Sequence, residues 1–129
     1  IDYSKVNWTE LARFMYGRCG EYHDLAIKVG WTEKQWPKLS FVMHRESRCN
    51  TISFNKGDPM SGSRGLIQIN GYWCKSVKYN PTGWLQAKGI LNTCEDLFIP
   101  EVNLRAGLAM WNYGQQRNGC GWRPWATRC

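Results

Sequence analysis

Two stretches carry the residues best suited to chemistry: His44-Arg45-Glu46-Ser47-Arg48-Cys49-Asn50, and Gly62-Ser63-Arg64-Gly65-Leu66-Ile67-Gln68-Ile69-Asn70. The first sets a Glu-Ser pair at the end of an apolar helical run. The second leads from a polar, glycine-rich loop into a short apolar strand, with Tyr72 and Trp73 close behind. This order puts one carboxylic acid at the edge of a hydrophobic core, facing a strand that carries amides and aromatics. A carboxyl among apolar side chains loses solvation and holds its proton more tightly, so it can still donate near neutral pH. Flat aromatic rings stack on the apolar faces of pyranoses, and their polar tips hydrogen-bond hydroxyls. These are the parts that glycosidic cleavage needs: an acid for the leaving oxygen, and a second group that stabilises or attacks the sugar cation.

Glu46 is the candidate acid. Asp58 is the candidate second carboxylate, because a glycine-flanked loop can carry it to the roughly 6.5–9.5 Å at which an inverting mechanism holds its water. The alternative reading is a turn-forming aspartate before Pro59. Ser63 either contacts the sugar or caps a turn. The amides of Gln68 and Asn70 suit acetamido groups, or else support the loop backbone. Tyr72 and Trp73 are the candidate groove aromatics, with core packing as the alternative for each. His44 lies two residues from Glu46 on a helix and so points elsewhere; it receives no catalytic role.

The elements that must position these groups can be read from periodicity. Trp8, Leu11, Ala12, Met15 and Tyr16 recur at helical spacing, with Ser4 or Asn7 as cap and Gly17 and Gly20 at the end. A second helix is expected over about 21–29, stopped by Gly30. Thr32 is a plausible cap for the next turn, and Pro37 suits a helical first turn. Residues 38–47 then read as the helix that ends in Glu46. Residues 50–63 are polar and turn-rich, a small hairpin or irregular lobe. Residues 66–69 read as the clearest strand. A turn at Asn80-Pro81-Thr82-Gly83 precedes a helix over 84–91. The strongest helix spans 100–111, apolar on both sides and therefore buried.

With 129 residues and 43% hydrophobic composition, the chain is expected to be one globular domain over 1–129. No apolar run reaches the roughly 18 residues of a membrane span. The first residues lack the basic-then-apolar pattern of a signal peptide, which is uninformative in a chain that starts at Ile1. Six cysteines and only two histidines, with no Cys-x-x-Cys pair, argue for disulfides over a metal site. The expected pairings are Cys49 with Cys74 and Cys19 with Cys129, although spacing alone cannot choose among the possibilities. The net charge of +7 attracts polyanions. Its basic residues are scattered, so no nucleic-acid module is suggested.

Glu46-Ser47, followed by Gly65-Leu66-Ile67-Gln68-Ile69-Asn70, resembles the signature shared by lytic transglycosylases and by goose-type and chicken-type lysozymes. Asn103-Leu104-Arg105-Ala106-Gly107 resembles the transglycosylase helix that backs the active site. Gly121-Trp122-Arg123-Pro124-Trp125 is similar to the tryptophan-rich ending of small lysozymes. The resemblance spans residues 39–125. It implies an α+β, mainly helical, lysozyme-like fold, with a small β element forming one wall of a cleft. It implies cleavage of the β-1,4 bond between N-acetylmuramic acid and N-acetylglucosamine in peptidoglycan, with no cofactor and no metal. A different class on the same fold is a wall-binding protein without turnover. Chicken-type lysozymes carry an aspartate where this chain has Ser63, and goose-type enzymes carry one at the Asn70 position. Transglycosylases often have serine at the Ser63 position, so Ser63 and Asn70 tilt the expectation toward their chemistry. Trp111-Asn112-Tyr113-Gly114 resembles a transglycosylase segment whose tyrosine touches the acid; Trp111 replaces that tyrosine here, leaving Tyr113 to take over the contact, or nothing. The expected partner is the glycan strand of peptidoglycan, met by a monomer in an extracellular or cell-wall compartment, without nucleic acid and without membrane insertion.

Overall fold

In the computed structural model, which describes residues 2–129, the chain places a three-stranded antiparallel sheet beside a set of helices. Helix α1 covers Trp8–Tyr16, α2 His23–Val29, α3 Trp36–Ser47, α4 Trp84–Ala87 and α5 Pro100–Asn118. Strands β1 (Phe54–Asn55), β2 (Ser63–Arg64) and β3 (Ile69–Asn70) pair in sequence order. The mainly helical α+β architecture is as expected.

Local chemistry explains most element ends. The Asn7 side chain accepts from the Glu10 N–H and starts α1, and Gly17 ends it. Gly30 closes α2 in the left-handed region. Pro37 lies in the first turn of α3, and Arg48, at φ 53°, stops that helix by donating its N–H to the His44 carbonyl. Glu46 is thereby held in the last turn, beside buried Met43 and Ser47. Helix α5 runs well past the expected end, to a left-handed Gly119. Helix α4 is shorter than expected and is a single turn.

Three expectations are corrected. Residues 66–68 form a turn, and the strand is confined to Ile69–Asn70. Gln68 takes a left-handed φ of 51°, which no strand accommodates. The disulfides are Cys19–Cys49, Cys74–Cys94 and Cys120–Cys129, which overturns both Cys49–Cys74 and Cys19–Cys129. The positive φ values at Arg48 and Cys49 turn the chain back from the end of α3 toward the end of α1, where Cys19 waits. Helix α1 forms, yet none of its residues is buried; Trp8 is 61% exposed. It lies against the Gly20–Tyr22 turn, where Gly20 meets the Ala12 backbone too closely for any side chain.

The core runs between α3, α5, the 65–69 loop and the C-terminal turn, with Leu39, Val42, Ile67, Leu97 and Leu104 at most 1% exposed. Asn103 lies within it, at 0% exposure. Its Nδ2 donates to the carbonyls of Arg64 at 3.0 Å and Leu97 at 2.9 Å, and its Oδ1 accepts from the Ile67 N–H at 3.1 Å. Gly65 packs on that amide with φ +82°, and a Cβ there would come 2.3 Å from Asn103 Nδ2. Asn103→Leu is therefore expected to leave three buried backbone groups unpaired, at about 1–3 kcal/mol each. Urea unfolding should show a lowered midpoint and an unchanged slope. A midpoint equal to the parent's would show that the amide is dispensable.

Candidate active site

Glu46 reaches its position on α3 with a side chain 29% exposed, partly sunk in the core edge but open to one side. Burial raises its carboxyl pKa above the ordinary glutamate value. The Arg45 guanidinium opposes that shift, and the nearby Asp58 carboxylate adds to it. Arg45 Nε lies 3.6 Å from Glu46 Oε2, an ion pair longer than a hydrogen bond. Arg45 is held in turn by donating to the Trp125 carbonyl, and its guanidinium lies over the Phe41 ring. Sequence reasoning missed Arg45, although its adjacency to Glu46 in the chain was a signal.

Asp58 lies in the β1–β2 connection, half-buried. Its Oδ1 accepts from Asn55 Nδ2 at 3.1 Å, and its N–H donates to the Asn55 carbonyl, so the turn is closed on itself. Its carboxylate is near enough to Glu46 to help raise that acid's pKa. Ser63 is 3% exposed, and its hydroxyl accepts from Asn70 Nδ2 at 3.3 Å. It presents no carboxylate, and its hydroxyl is tucked under a neighbouring amide.

Both candidate amides act as braces. Gln68 Nε2 donates to the carbonyls of Ser53 at 3.0 Å and Gly65 at 2.9 Å. Asn70 Nδ2 donates to the Pro59 carbonyl at 2.8 Å, and its Oδ1 accepts from the Tyr72 N–H at 2.9 Å. Asn70 thus ties the Asp58-Pro59 loop to the turn Gly71–Trp73 that carries the groove aromatics. Their donors are spent on backbone, which favours the supporting reading of both residues over direct capture of acetamido groups.

Tyr72 is 44% exposed and meets Trp73 edge-on at 5.4 Å. Trp73 packs edge-on against Trp84 at 5.0 Å and Tyr113 at 6.2 Å. Trp73 and Tyr113 line one hollow of about 260 Å³, together with Met110, Gly114, Asn118, Arg123 and Pro124. Glu46 does not line this hollow, and two chain connections run from it toward the acid. Trp73 follows β3, and Pro124 adjoins Trp125, whose carbonyl holds Arg45. Asn118, Arg123 and Pro124 were not expected; the helix was read as ending before Asn118.

Trp111 lies elsewhere. Two residues on a helix turn the side chain by about 200°, so Trp111 and Tyr113 leave nearly opposite sides of α5. Trp111 packs on Trp122 at 6.1 Å and lines a separate hollow with Gly30, Lys38 and Asn112. Its buried Nε1 has no hydrogen-bond partner. Among the described residues neither Trp111 nor Tyr113 hydrogen-bonds Glu46. No group of three His, Cys, Asp or Glu residues is placed to hold a metal ion, and no helix is long and apolar enough to cross a membrane, among the described residues.

A family model described as a lysozyme-like domain matches residues 23–127. Among curated proteins and among solved structures, nothing matches. The matched span holds Glu46, Asp58, the sheet, the aromatic hollow and the tryptophan-rich turn, and it leaves out α1.

Because folding strengthens proton binding at Glu46, the native state carries more protons than the unfolded chain between the two pKa values. Stability should therefore fall as pH rises through that window, and Glu46→Gln should remove the decline. Carbon NMR of the Glu46 carboxyl is expected to show a midpoint above the ordinary value. That midpoint should move down in Asp58→Asn and up in Arg45→Gln. A midpoint at the ordinary glutamate position would contradict the desolvated geometry.

Proposed function

The chain belongs to the lysozyme-like domain family, and on that premise we propose that it cleaves peptidoglycan at the β-1,4 bond between N-acetylmuramic acid and N-acetylglucosamine. The observation that carries this reading is the half-sunk Glu46, whose burial raises its proton affinity and whose carboxyl lies within electrostatic reach of Asp58. Glu46 gives its proton to the glycosidic oxygen as the bond from that oxygen to C1 of the muramic acid breaks. The leaving sugar departs with a free hydroxyl. Trp73, Tyr72 and Tyr113 offer ring faces and edges along the glycan path.

Two routes complete the reaction. In the hydrolytic route Asp58 holds a water, takes its proton, and lets the hydroxide oxygen attack C1 from the opposite face. The electrostatic reach of Asp58 to Glu46 supports this route. In the transglycosylase route the substrate's own 6-hydroxyl attacks C1, and the Glu46 carboxylate takes back a proton. The lack of a carboxylate at Ser63 favours that one. Neither route needs a cofactor. The three disulfides suit an oxidising compartment outside the cell, where this substrate lies.

Glu46→Gln keeps the shape of the side chain but cannot donate the proton. Clearing of a bacterial wall suspension is expected to slow by about 10²–10⁴-fold, the usual worth of a general acid. A folded variant that clears the suspension at the parent rate would defeat the assignment. Binding of walls by the parent without any clearing would instead identify a glycan-binding protein. Mass spectrometry of the products separates the routes, since anhydro ends are lighter by one water than hydrolysed ends. Asp58→Asn should cost activity heavily on the hydrolytic route and little on the other.

A further inference from the structure

Around the axis of α3 from Glu46, a second concavity of about 380 Å³ is lined by Arg13, Arg18, His44 and Arg48 over the Cys19–Cys49 disulfide. The four basic groups come from three segments of chain. Arg13 leaves the last turn of α1, Arg18 follows the Gly17 cap, and His44 and Arg48 belong to the end of α3. The disulfide clamps these segments together at a Cα separation of 5.3 Å. Glu21 is the acidic group that meets this cluster, and it is held by Arg13 through contacts of 2.9 and 2.6 Å. Among the described residues Arg18 and Arg48 form no salt bridge.

The carbonyl ends of two helices favour cations in their last turns, which accounts for Arg13 and His44. It leaves the guanidiniums of Arg18 and Arg48 without an anion. Three guanidiniums set against one carboxylate repel each other, and the fold carries that cost at a concave surface. Their planar forks are the donors best matched to a multi-oxygen anion. A carboxylate holds its two oxygens in one plane, whereas a phosphate group, even as a diester, sets its oxygens on a tetrahedral centre that donors from three segments can reach from different sides.

We propose that the Arg13–Arg18–His44–Arg48 pocket binds a phosphate group, and that its occupant is the phosphodiester of a polyol-phosphate wall polymer. The phosphate site stands on its own geometry. The choice of a wall polymer as the source rests on the peptidoglycan reading above. A single pocket also fits one phosphate of a flexible chain better than a duplex, which is gripped through a track of phosphate contacts. The site would anchor the protein to the wall on the flank of α3 away from Glu46.

Seating an anion should also protonate the histidine. Desolvation and the charges of Arg18, Arg48 and Arg13 hold the His44 imidazole below its ordinary pKa. Glu21 is the opposing charge, already engaged by Arg13. A bound phosphate offsets the guanidiniums and favours imidazolium. Binding should then tighten as pH falls through the His44 midpoint.

The test uses the intact oxidised chain at constant ionic strength set with chloride. Inorganic phosphate, followed by proton NMR of the two histidine rings, is expected to saturate one site. It should move the His44 midpoint upward and leave that of His23 in place. The double variant Arg18→Gln/Arg48→Gln, with an unchanged circular dichroism spectrum, should bind about tenfold more weakly or worse, as loss of charge-assisted bonds implies. His44→Gln should still bind poly(glycerol phosphate), whose diesters keep one charge through this pH range, but without the pH dependence. Poly(glycerol phosphate) should compete with inorganic phosphate for the same site. An unmoved His44 midpoint, or undiminished binding by the double variant, overturns the site. Tighter binding of duplex DNA than of poly(glycerol phosphate) overturns the wall-polymer source, and leaves the proposal of glycan cleavage at Glu46 untouched.

Discussion

The amide of Asn103 is the joint on which the rest of the structure depends. It is wholly buried, and it connects the first turn of α5 to the Arg64 and Ile67 backbone and to the turn containing Leu97. The Ile67 peptide is caught from both ends, since its carbonyl also accepts from Trp125 Nε1 at 2.8 Å. A buried backbone group without a partner costs more than a made bond returns, so such a joint has little freedom to slip. The sheet, the Asp58 loop braced by Asn70, and the aromatics after β3 are all carried by this one fixed peptide.

A second linkage closes the frame on the helical side. Arg45 reaches from α3 to the Trp125 carbonyl, while the Trp125 indole reaches the Ile67 carbonyl. The acid and the wall that faces it are therefore tied through a single tryptophan. Arg45 also faces Glu46, so the group that positions the helix end also limits how far burial can raise the acid's proton affinity. A fully sunk carboxyl would stay protonated but could not reach a glycan. A fully exposed one would lose its proton too early.

Helix α3 separates two kinds of charge. Glu46 is paired with Arg45 and within electrostatic reach of Asp58, while His44 and Arg48 turn toward the end of α1. The left-handed residues Cys19, Arg48 and Cys49 make this division possible by reversing the chain beside the disulfide. Helix α1, outside the matched span, contributes Arg13 to the basic pocket while burying little of itself.

Helix positions and caps, the buried nature of α5, and the prominence of Glu46 were all legible in the residue order. Each depends on periodicity, a cap or a short motif, and these act over a few neighbours. The resemblance carried by Glu46-Ser47 and residues 65–70 pointed to the family as well. Tertiary structure decided the rest. The run over 66–69 has strand-like composition, yet Asn103 and Trp125 hold residues 66–68 in a turn and leave only Ile69 to the strand. Whether Gln68 and Asn70 would grip sugar or brace the loop stayed open in the sequence, and the loop carbonyls brought beside them favour the brace. Trp111 and Tyr113, neighbours in a motif, part to opposite sides of α5 by simple helical rotation. The cysteine pairing followed from left-handed residues at the end of α3, which no spacing rule registers. Local order is written in short-range preferences; which distant groups meet is settled only when every buried polar atom has to find a partner at once.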